Sequence, residues 1–300
     1  MHAVSRALIQ HARSLADEVG ARALVICADV LAESQELAEI VEAACAFQVI
    51  LVTRINPHPD QSGLTACTWV SVPDVHLTRT GQIKVSMLVA LARGIVRTGD
   101  RVVCLTGIDR SDLLDTLVVL NLGAEPELFG PIDASIFDSH IRAEVFARVL
   151  ALATQLAAEG REGRPVGAIF IVGDAEHVLE QSRNLVLNPF HGYEEAERNI
   201  LDPVVEETIK EFSAIDGAFV ISGEGVVLAA GIQLVPVKTV ASLTKGLGTR
   251  HAAAASMTAS TNAIAIVVSQ STGMVSVFRA GEMIADIHRG DESRRSLSAL

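Results

Sequence analysis

Apolar positions along the chain alternate between helical spacing and short unbroken runs, a pattern typical of α/β proteins. Residues 4–19 carry apolar side chains at helical spacing, and the run ALVICAD at 23–29 indicates a buried strand. Helical spacing returns at 33–46, and QVILVTR at 48–54 predicts a second strand. This alternation favours a parallel sheet with helices on both faces.

The same rhythm continues to about residue 125. We predict a strand at 69–72, a helix at 83–96, a strand at 101–107 and a further helix near Ser111. Residues 1–125 are therefore expected to form an α/β domain with a parallel sheet.

A break in the pattern separates the second half of the chain. The stretch GAEPELFGPID carries two prolines and two glycines, so we predict a linker at 126–138 and a second domain at 139–300. The elements predicted for this domain are helices at 139–159, 175–187, 194–212 and 249–260, and strands at 166–174, 216–222, 225–232, 263–269 and 274–278. The links at 222–225 and 270–273 are typical of hairpin turns, which makes this α/β sheet mixed and largely antiparallel.

Composition narrows the class of protein. The chain has 300 residues, of which 49% are apolar, enough to bury the cores of two domains. Its 36 acidic and 24 basic residues give a net charge of −12, which opposes binding to nucleic acid or to an anionic membrane.

No apolar stretch is long enough for a membrane span or a signal peptide, so we expect a cytoplasmic protein. Four cysteines without CxxC spacing are expected to be free thiols: Cys27, Cys45, Cys67 and Cys104.

One cluster of candidate functional residues is GLGTRH at 246–251. Its glycines would let the backbone approach an anion, Thr249 is a candidate N-cap, and Arg250 and His251 would add positive charge beside the helix start. Taken alone, the segment is better explained as an ordinary glycine loop before a capped helix.

Two further candidates lie at predicted strand ends. A carboxylate at Asp216 can hold a divalent cation that bridges phosphates, and the small residues Gly217 and Ala218 leave room for a ligand. Ser269 follows the run AIAIVV, at a position where α/β proteins commonly form binding sites. Taken alone, Asp216 is better explained as an aspartate in a turn. Ser269 is explained equally well as a polar residue of a hairpin turn.

Together these segments resemble the diadenylate cyclase domain, which is marked by a DGA motif and an RHR motif. DGAFVISGEGVVLAAG, GLGTRHAAAASM and AIVVSQSTGMVSVF occur here in that order. The resemblance covers residues 139–300. Residues 1–125 resemble, in architecture, the amino-terminal domain of those cyclases in which this domain is similar to the carboxy-terminal domain of pyruvate kinase.

The resemblance implies that two ATP molecules condense to cyclic di-AMP and two pyrophosphates with a divalent cation, Mn²⁺ or Mg²⁺. It implies that Asp216 holds the metal and helps to activate the ribose 3′-hydroxyl, that Gly217 and Ala218 line the nucleotide pocket, and that Leu234 packs against adenine. The remaining residues implied at the nucleotide are Gly248, Thr249, Arg250, His251 and Ser269, of which Arg250 and His251 are also expected to be catalytic.

The reaction itself favours two copies of the chain. Each ATP must present its 3′-hydroxyl in line with the α-phosphate of the other, which a two-fold axis arranges and a single asymmetric pocket does not. We therefore predict a face-to-face homodimer or a higher homo-oligomer.

Three residues depart from the family pattern. Ala252 stands where the RHR motif has its second arginine, and Gln270 and Ser271 stand where many members have acidic residues. These departures motivate an alternative, a regulatory protein that binds ATP or cyclic di-AMP and turns over slowly or not at all. A third possibility is a scaffold that uses both domains for assembly.

Overall fold

The computed structural model describes residues 3–30, 46–54, 67–108, 113–132, 137, 140–237 and 248–290. Within them the chain forms two compact units, residues up to 128 together with Gly290, and residues 129–289. The division between them falls inside the predicted linker. Four predicted features lie wholly or largely outside the described residues: the helix at 33–46, the helix start near Ser111, Gly246 and Cys45.

The amino-terminal unit is built on a five-stranded sheet with the order β3-β2-β1-β4-β5. Its elements are helices α1 (Ala3–Glu18) and α2 (Arg79–Ala92) and strands β1 (Ala23–Cys27), β2 (Gln48–Thr53), β3 (Cys67–Ser71), β4 (Arg101–Gly107) and β5 (Leu114–Asn121). Strands β1 to β4 are parallel, as predicted.

The fifth strand corrects the sequence prediction. The sheet was expected to be parallel, but Leu114–Asn121 forms an additional strand, β5, which pairs antiparallel with β4. Gly107 pairs with Leu114, so only six residues separate the paired ends. Such a link is too short for the helical crossover that parallel pairing requires, and the chain returns as a hairpin.

The second unit holds a seven-stranded sheet with the order β12-β11-β10-β6-β8-β9-β7. Its strands are β6 (Ala168–Val172), β7 (Ser182–Asn184), β8 (Ala218–Ile221), β9 (Val227–Leu234), β10 (Ile264–Val268), β11 (Val275–Arg279) and β12 (Glu282–Ile287). Its helices are α3 (Ala143–Glu159), α4 (Ala175–Glu180), α5 (Pro203–Phe212) and α6 (Thr249–Ser260). Among the strands described in this unit, only β6 and β8 pair in parallel, which confirms the mixed and largely antiparallel sheet.

Three helices predicted in this unit were too long, and the first of them, expected at 139–159, starts at Ala143. The helix expected at 175–187 ends at Glu180, and the edge strand β7 follows. The helix expected at 194–212 is divided: a 3₁₀ turn occupies Glu195–Arg198, and α5 starts at Pro203 with Asp202 as its N-cap. Proline at the first helical position lacks the N–H that a continuous helix needs, so it marks a helix start.

The core of the second unit lies in the middle of the sheet. Every residue of β6, β8 and β10 is buried, because α3 and α6 both pack against β6 and β10, and α4 packs against β8. Ala254 and Met257 of α6 join the same hydrophobic cluster as Ile171 and Val267. This packing fixes the start of α6 relative to the ends of the central strands.

The described cysteines are free, as expected for Cys27, Cys67 and Cys104. Burial raises the pKa of Cys27 to about 11, so its thiol stays protonated at neutral pH. Among the helices of the described residues, none has the length and apolar character that crossing a membrane requires.

Candidate functional site

Four segments of the second unit converge at one edge of the central sheet, by which we mean the end where strands β6 and β8 begin and β10 ends. Strand β6 begins beside β8, with Ile169 paired to Ala218, and β10 ends beside the start of β6, with Val268 paired to Ala168. The residues just outside these strand ends therefore lie together, and the first turn of α6 lines cavities with them. The structure brings the DGA segment, the arginine and histidine of α6 and the strand-end serine to one place.

Asp216 stands at the start of this edge with its carboxylate in solvent. Its side chain is 84% exposed, and Arg250 Nη2 donates a hydrogen bond to its Oδ1 over 3.4 Å. Gly217 makes this turn possible: its φ is +117°, and a Cβ there would lie 2.6 Å from the backbone nitrogen of Ile232. A side chain at 217 would thus disturb both the turn and the β8–β9 pairing.

The start of α6 differs from the prediction in its cap. Gly248 is the N-cap and makes no side-chain hydrogen bond, while Thr249, predicted as the cap, is the first helical residue. Because no described side chain caps this helix, the N–H groups of its first turn point out of the helix start without an intrahelical acceptor. They can accept an anion there, with the helix dipole in its favour.

His251 lies deeper than the sequence suggests. It is 5% exposed, its ring packs edge-on against Phe278 with centroids 6.0 Å apart, and Nε2 is buried without a hydrogen-bond partner among the described residues. Burial lowers the pKa of the imidazole. His251 is therefore neutral at pH 7, which corrects the expectation that it adds positive charge; it can offer a neutral donor or acceptor.

Two cavities of about 350 Å³ and 470 Å³ open at this edge, and both are lined by Arg250 and Gln270. The smaller one also takes in Thr249 and Ser269, whose Oγ lies 3.3 Å from Ser271 Oγ. The larger one contains Asp216. The guanidinium of Arg250 thus links a hydroxyl-lined cavity at a helix start with a carboxylate-lined cavity, an arrangement suited to a polyphosphate with a cation.

Three of the predicted nucleotide-binding residues lie outside both cavity linings: Gly217, Ala218 and Leu234. Ala218 is completely buried in the core cluster. Leu234 ends β9 and is partly buried against the same cluster. Their contacts with a nucleotide stay predictions.

The sequence interpretation missed several residues of the larger cavity. Arg161 and Arg164 come from the turn between α3 and β6, about fifty residues before Asp216, and both line the cavity that contains Asp216. Gly167 precedes β6, and a Cβ there would lie 2.6 Å from Arg250 Nη1. No motif marks these residues; only the pairing of β6 with β8 brings them to the site.

A resident metal would find few protein ligands here. The described residues contain no group of three His, Cys, Asp or Glu side chains able to hold a metal ion. Asp216 supplies one exposed carboxylate at the cavity. That donor set fits a hard divalent cation that takes its other ligands from phosphate oxygens and water, and it does not fit a structural metal site.

Comparison with known proteins divides the chain in the same way. Residues 155–283 match the family model described as "DisA bacterial checkpoint controller nucleotide-binding", and residues 5–129 match "Probable sensor domain DacZ_P". The match of the first half to a sensor-domain model leaves the expected likeness to pyruvate kinase unconfirmed.

Curated relatives are named diadenylate cyclase. One from Methanocaldococcus jannaschii is 39% identical over 202 residues, which is 65% of this chain and 62% of that protein. One from Haloferax volcanii is 37% identical over 227 residues, 76% of this chain and 82% of that protein. A crystal structure of DacA from Staphylococcus aureus is 22% identical, covers 52% of this chain and 93% of that one, and gives a TM-score of 0.31.

Proposed function

This chain belongs to the diadenylate cyclase family, and we propose that it condenses two ATP molecules into cyclic di-AMP and two pyrophosphates at the edge formed by Asp216 and the first turn of α6. The observation that carries the proposal is the meeting of the Asp216 carboxylate with the Arg250 guanidinium at the cavity edge. These groups belong to the two motifs by which the sequence resembles the family.

Different residues of this edge are proposed to bind different parts of a triphosphate and its cation. The first-turn N–H groups of α6, with Thr249 and Ser269, bind phosphate oxygens in the smaller cavity. Arg250, between the two cavities, offsets the charge that develops on the departing pyrophosphate. Asp216 holds the cation. When bound, a divalent cation such as Mn²⁺ or Mg²⁺ neutralises phosphate charge and lowers the pKa of a nearby hydroxyl.

The contact between Asp216 and Arg250 suggests an order of events. Without a cation, the carboxylate neutralises the guanidinium that the phosphates need. A cation on Asp216 would compete for the same oxygens and leave Arg250 to the nucleotide. Metal and ATP are therefore proposed to bind cooperatively, which also offsets the repulsion of ATP by a chain of net charge −12.

Chemistry of this kind needs two subunits. Each ribose 3′-oxygen forms a bond to the α-phosphorus of the other ATP, the bond from that phosphorus to the bridging oxygen breaks, and each hydroxyl proton passes to solvent. One chain offers one set of motifs, so we propose a face-to-face homodimer of the second unit, alone or within a larger homo-oligomer.

The amino-terminal unit is proposed to regulate how often the second units meet, either by binding a small effector or by assembly alone. Its match to a probable sensor domain supports a regulatory role. We place the enzyme in the cytoplasm, where ATP is available. The likeness of this unit to the carboxy-terminal domain of pyruvate kinase stays a prediction.

Product analysis tests the proposed reaction. Purified chain incubated with ATP and Mn²⁺ or Mg²⁺ should release cyclic di-AMP and pyrophosphate in a ratio of about one to two, set by the reaction's stoichiometry. The alternative, a binding protein weakened by Ala252 and Ser271, predicts protection by ATP against thermal unfolding with no product. A scaffold predicts neither.

Alanine at position 167 tests the placement of Arg250. Its Cβ would lie 2.6 Å from Nη1 and 2.9 Å from Cζ of Arg250, so the guanidinium must leave its present position. We expect Gly167→Ala to lower turnover about tenfold with little change in melting temperature, because a small displacement of a phosphate-binding group is costly for catalysis.

A double-mutant cycle tests whether Gly167→Ala lowers turnover by displacing Arg250. In an Arg250→Ala background, Gly167→Ala should cause little further loss, since the displaced group is already missing. Additive losses would mean that Gly167 acts by another path.

A further inference from the structure

We infer that Arg164 is a phosphate-binding residue of this cyclase and supplies the positive charge that the family's RHR motif would place at Ala252. The inference rests on the proposed function and concerns a residue outside the sequence motifs. Arg164 lines the cavity of about 470 Å³ that contains Asp216 and Arg250.

The turn that carries Arg164 is held firmly. Arg161 N donates to Arg164 O over 2.9 Å, and Arg164 N donates to Arg161 O over 2.8 Å. Gly160, with φ at +64°, closes the turn, and a Cβ there would lie 2.2 Å from Arg164 O. Two reciprocal backbone hydrogen bonds and a tight glycine contact therefore fix where the side chain of Arg164 starts.

A second contact joins this turn to the candidate site. Gln270 Nε2 donates to the carbonyl oxygen of Pro165 over 3.3 Å. Gln270 directly follows Ser269 and lines both cavities. One of the departures from the family pattern thus holds the arginine-bearing turn against the strand-end serine, where an acidic residue would make no such donor contact.

The charged groups of the larger cavity leave Arg164 available. Arg161 pairs with Glu211 and lies 3.7 Å from Glu207, so its charge is already balanced. Arg250 contacts Asp216. Arg164 is exposed and forms no ion pair among the described residues; Glu162, at the tip of the same turn, is also exposed.

The charge balance of the bound state requires such a group. Once a cation occupies Asp216, the guanidinium groups free for a triphosphate are those of Arg250 and Arg164. Ala252 supplies none from the helix. A guanidinium can bind two phosphate oxygens at once, which makes Arg164 a chemically sufficient replacement.

Substitution of Arg164 tests this role. We expect Arg164→Gln to raise the KM for ATP about tenfold, the effect of losing one charge-assisted contact, while adenosine binding stays unchanged. Arg164→Lys should keep part of the affinity. Adding Ala252→Arg to Arg164→Gln should restore it, because the charge returns from the helix.

Arg142→Gln is the matched control. Arg142 is also a surface arginine, but it is the N-cap of α3, and its backbone nitrogen bonds to Gly223 beyond the other end of β8. It should leave KM for ATP unchanged. An Arg164→Gln enzyme with wild-type KM, or an equal effect of both variants, would overturn the inference.

The result stays interpretable if the wild-type chain makes no product. Calorimetric titration with a non-hydrolysable ATP analogue and Mg²⁺ then compares affinities directly. About tenfold weaker binding by Arg164→Gln would support the role of Arg164 while the proposed reaction fails. Equal affinities would refute the role of Arg164 independently of the reaction.

Discussion

Asparagine in place of Asp216 is expected to reduce cyclic di-AMP formation at least about a hundredfold, the largest effect of any single substitution proposed for this chain. The amide keeps the shape of the side chain and loses the negative charge that holds a divalent cation. Since the Asp216 side chain is 84% exposed and accepts a 3.4 Å hydrogen bond from the partly exposed Arg250, the fold should be unaffected. Product formation and the melting temperature are measured together.

Glu224→Gln provides the comparison for this variant. Glu224 lies in the hairpin at the other end of β8, is 75% exposed, and its carboxylate lies 3.7 Å from Arg142. The Glu224→Gln variant removes one negative charge from an exposed position outside both cavity linings, so turnover should stay near wild type. Wild-type output from Asp216→Asn, or an equal loss in Glu224→Gln, would remove Asp216 from the metal site.

Dilution of the enzyme should abolish turnover while ATP binding persists. A face-to-face dimer forms product only when two loaded subunits meet, so the rate per subunit should fall in proportion to concentration once most of the protein is monomeric. ATP binding should remain, because each subunit carries its own set of motifs.

Specific activity measured over a dilution series, alongside the molar mass of the particles, checks this expectation. Saturating ATP and cation are kept constant at each dilution. A rate per subunit that stays constant after full dissociation would mean that one chain completes the cyclisation, and the two-fold account would be wrong.

Helices with a repeated apolar spacing and strands made of short unbroken apolar runs could be predicted from the sequence, because burial requires those patterns. Thus α1, β1, β2 and α6 appear close to their predicted bounds. The edge strands were harder. β7 has the sequence SRN and is held by backbone pairing with β9, which leaves no hydrophobic pattern to detect.

The candidate site was predictable only in part. Asp216 precedes one apolar run, Ser269 follows another, and Arg250 opens a predicted helix, so each could be singled out from the sequence and linked to the others by the family motifs. Arg164 and Gly167 carry no such mark. Their relevance depends on which strands become neighbours, a long-range property of the sheet that local sequence does not encode.

Charge and capping at α6 were mispredicted for a related reason. Threonine is a common N-cap residue, but the helix begins at Thr249 itself, one residue earlier than an N-cap at Thr249 would require. Histidine can carry a positive charge, but the His251 ring is buried against Phe278, and burial lowers its pKa. The residue type shows that a side chain can cap a helix or carry a charge. Whether it does so depends on the helix boundary and on burial in the folded protein.

Mixed dimers give the most direct test of the central claim that two Asp216-held sites act together. Wild-type and Asp216→Asn subunits are combined in equal amounts, allowed to exchange, and compared with the same total amount of wild type. If cyclic product requires both sites of a dimer, the output should be about one quarter, because only that fraction of dimers pairs two intact subunits. An output of about one half would show that each subunit works alone, and would contradict the account.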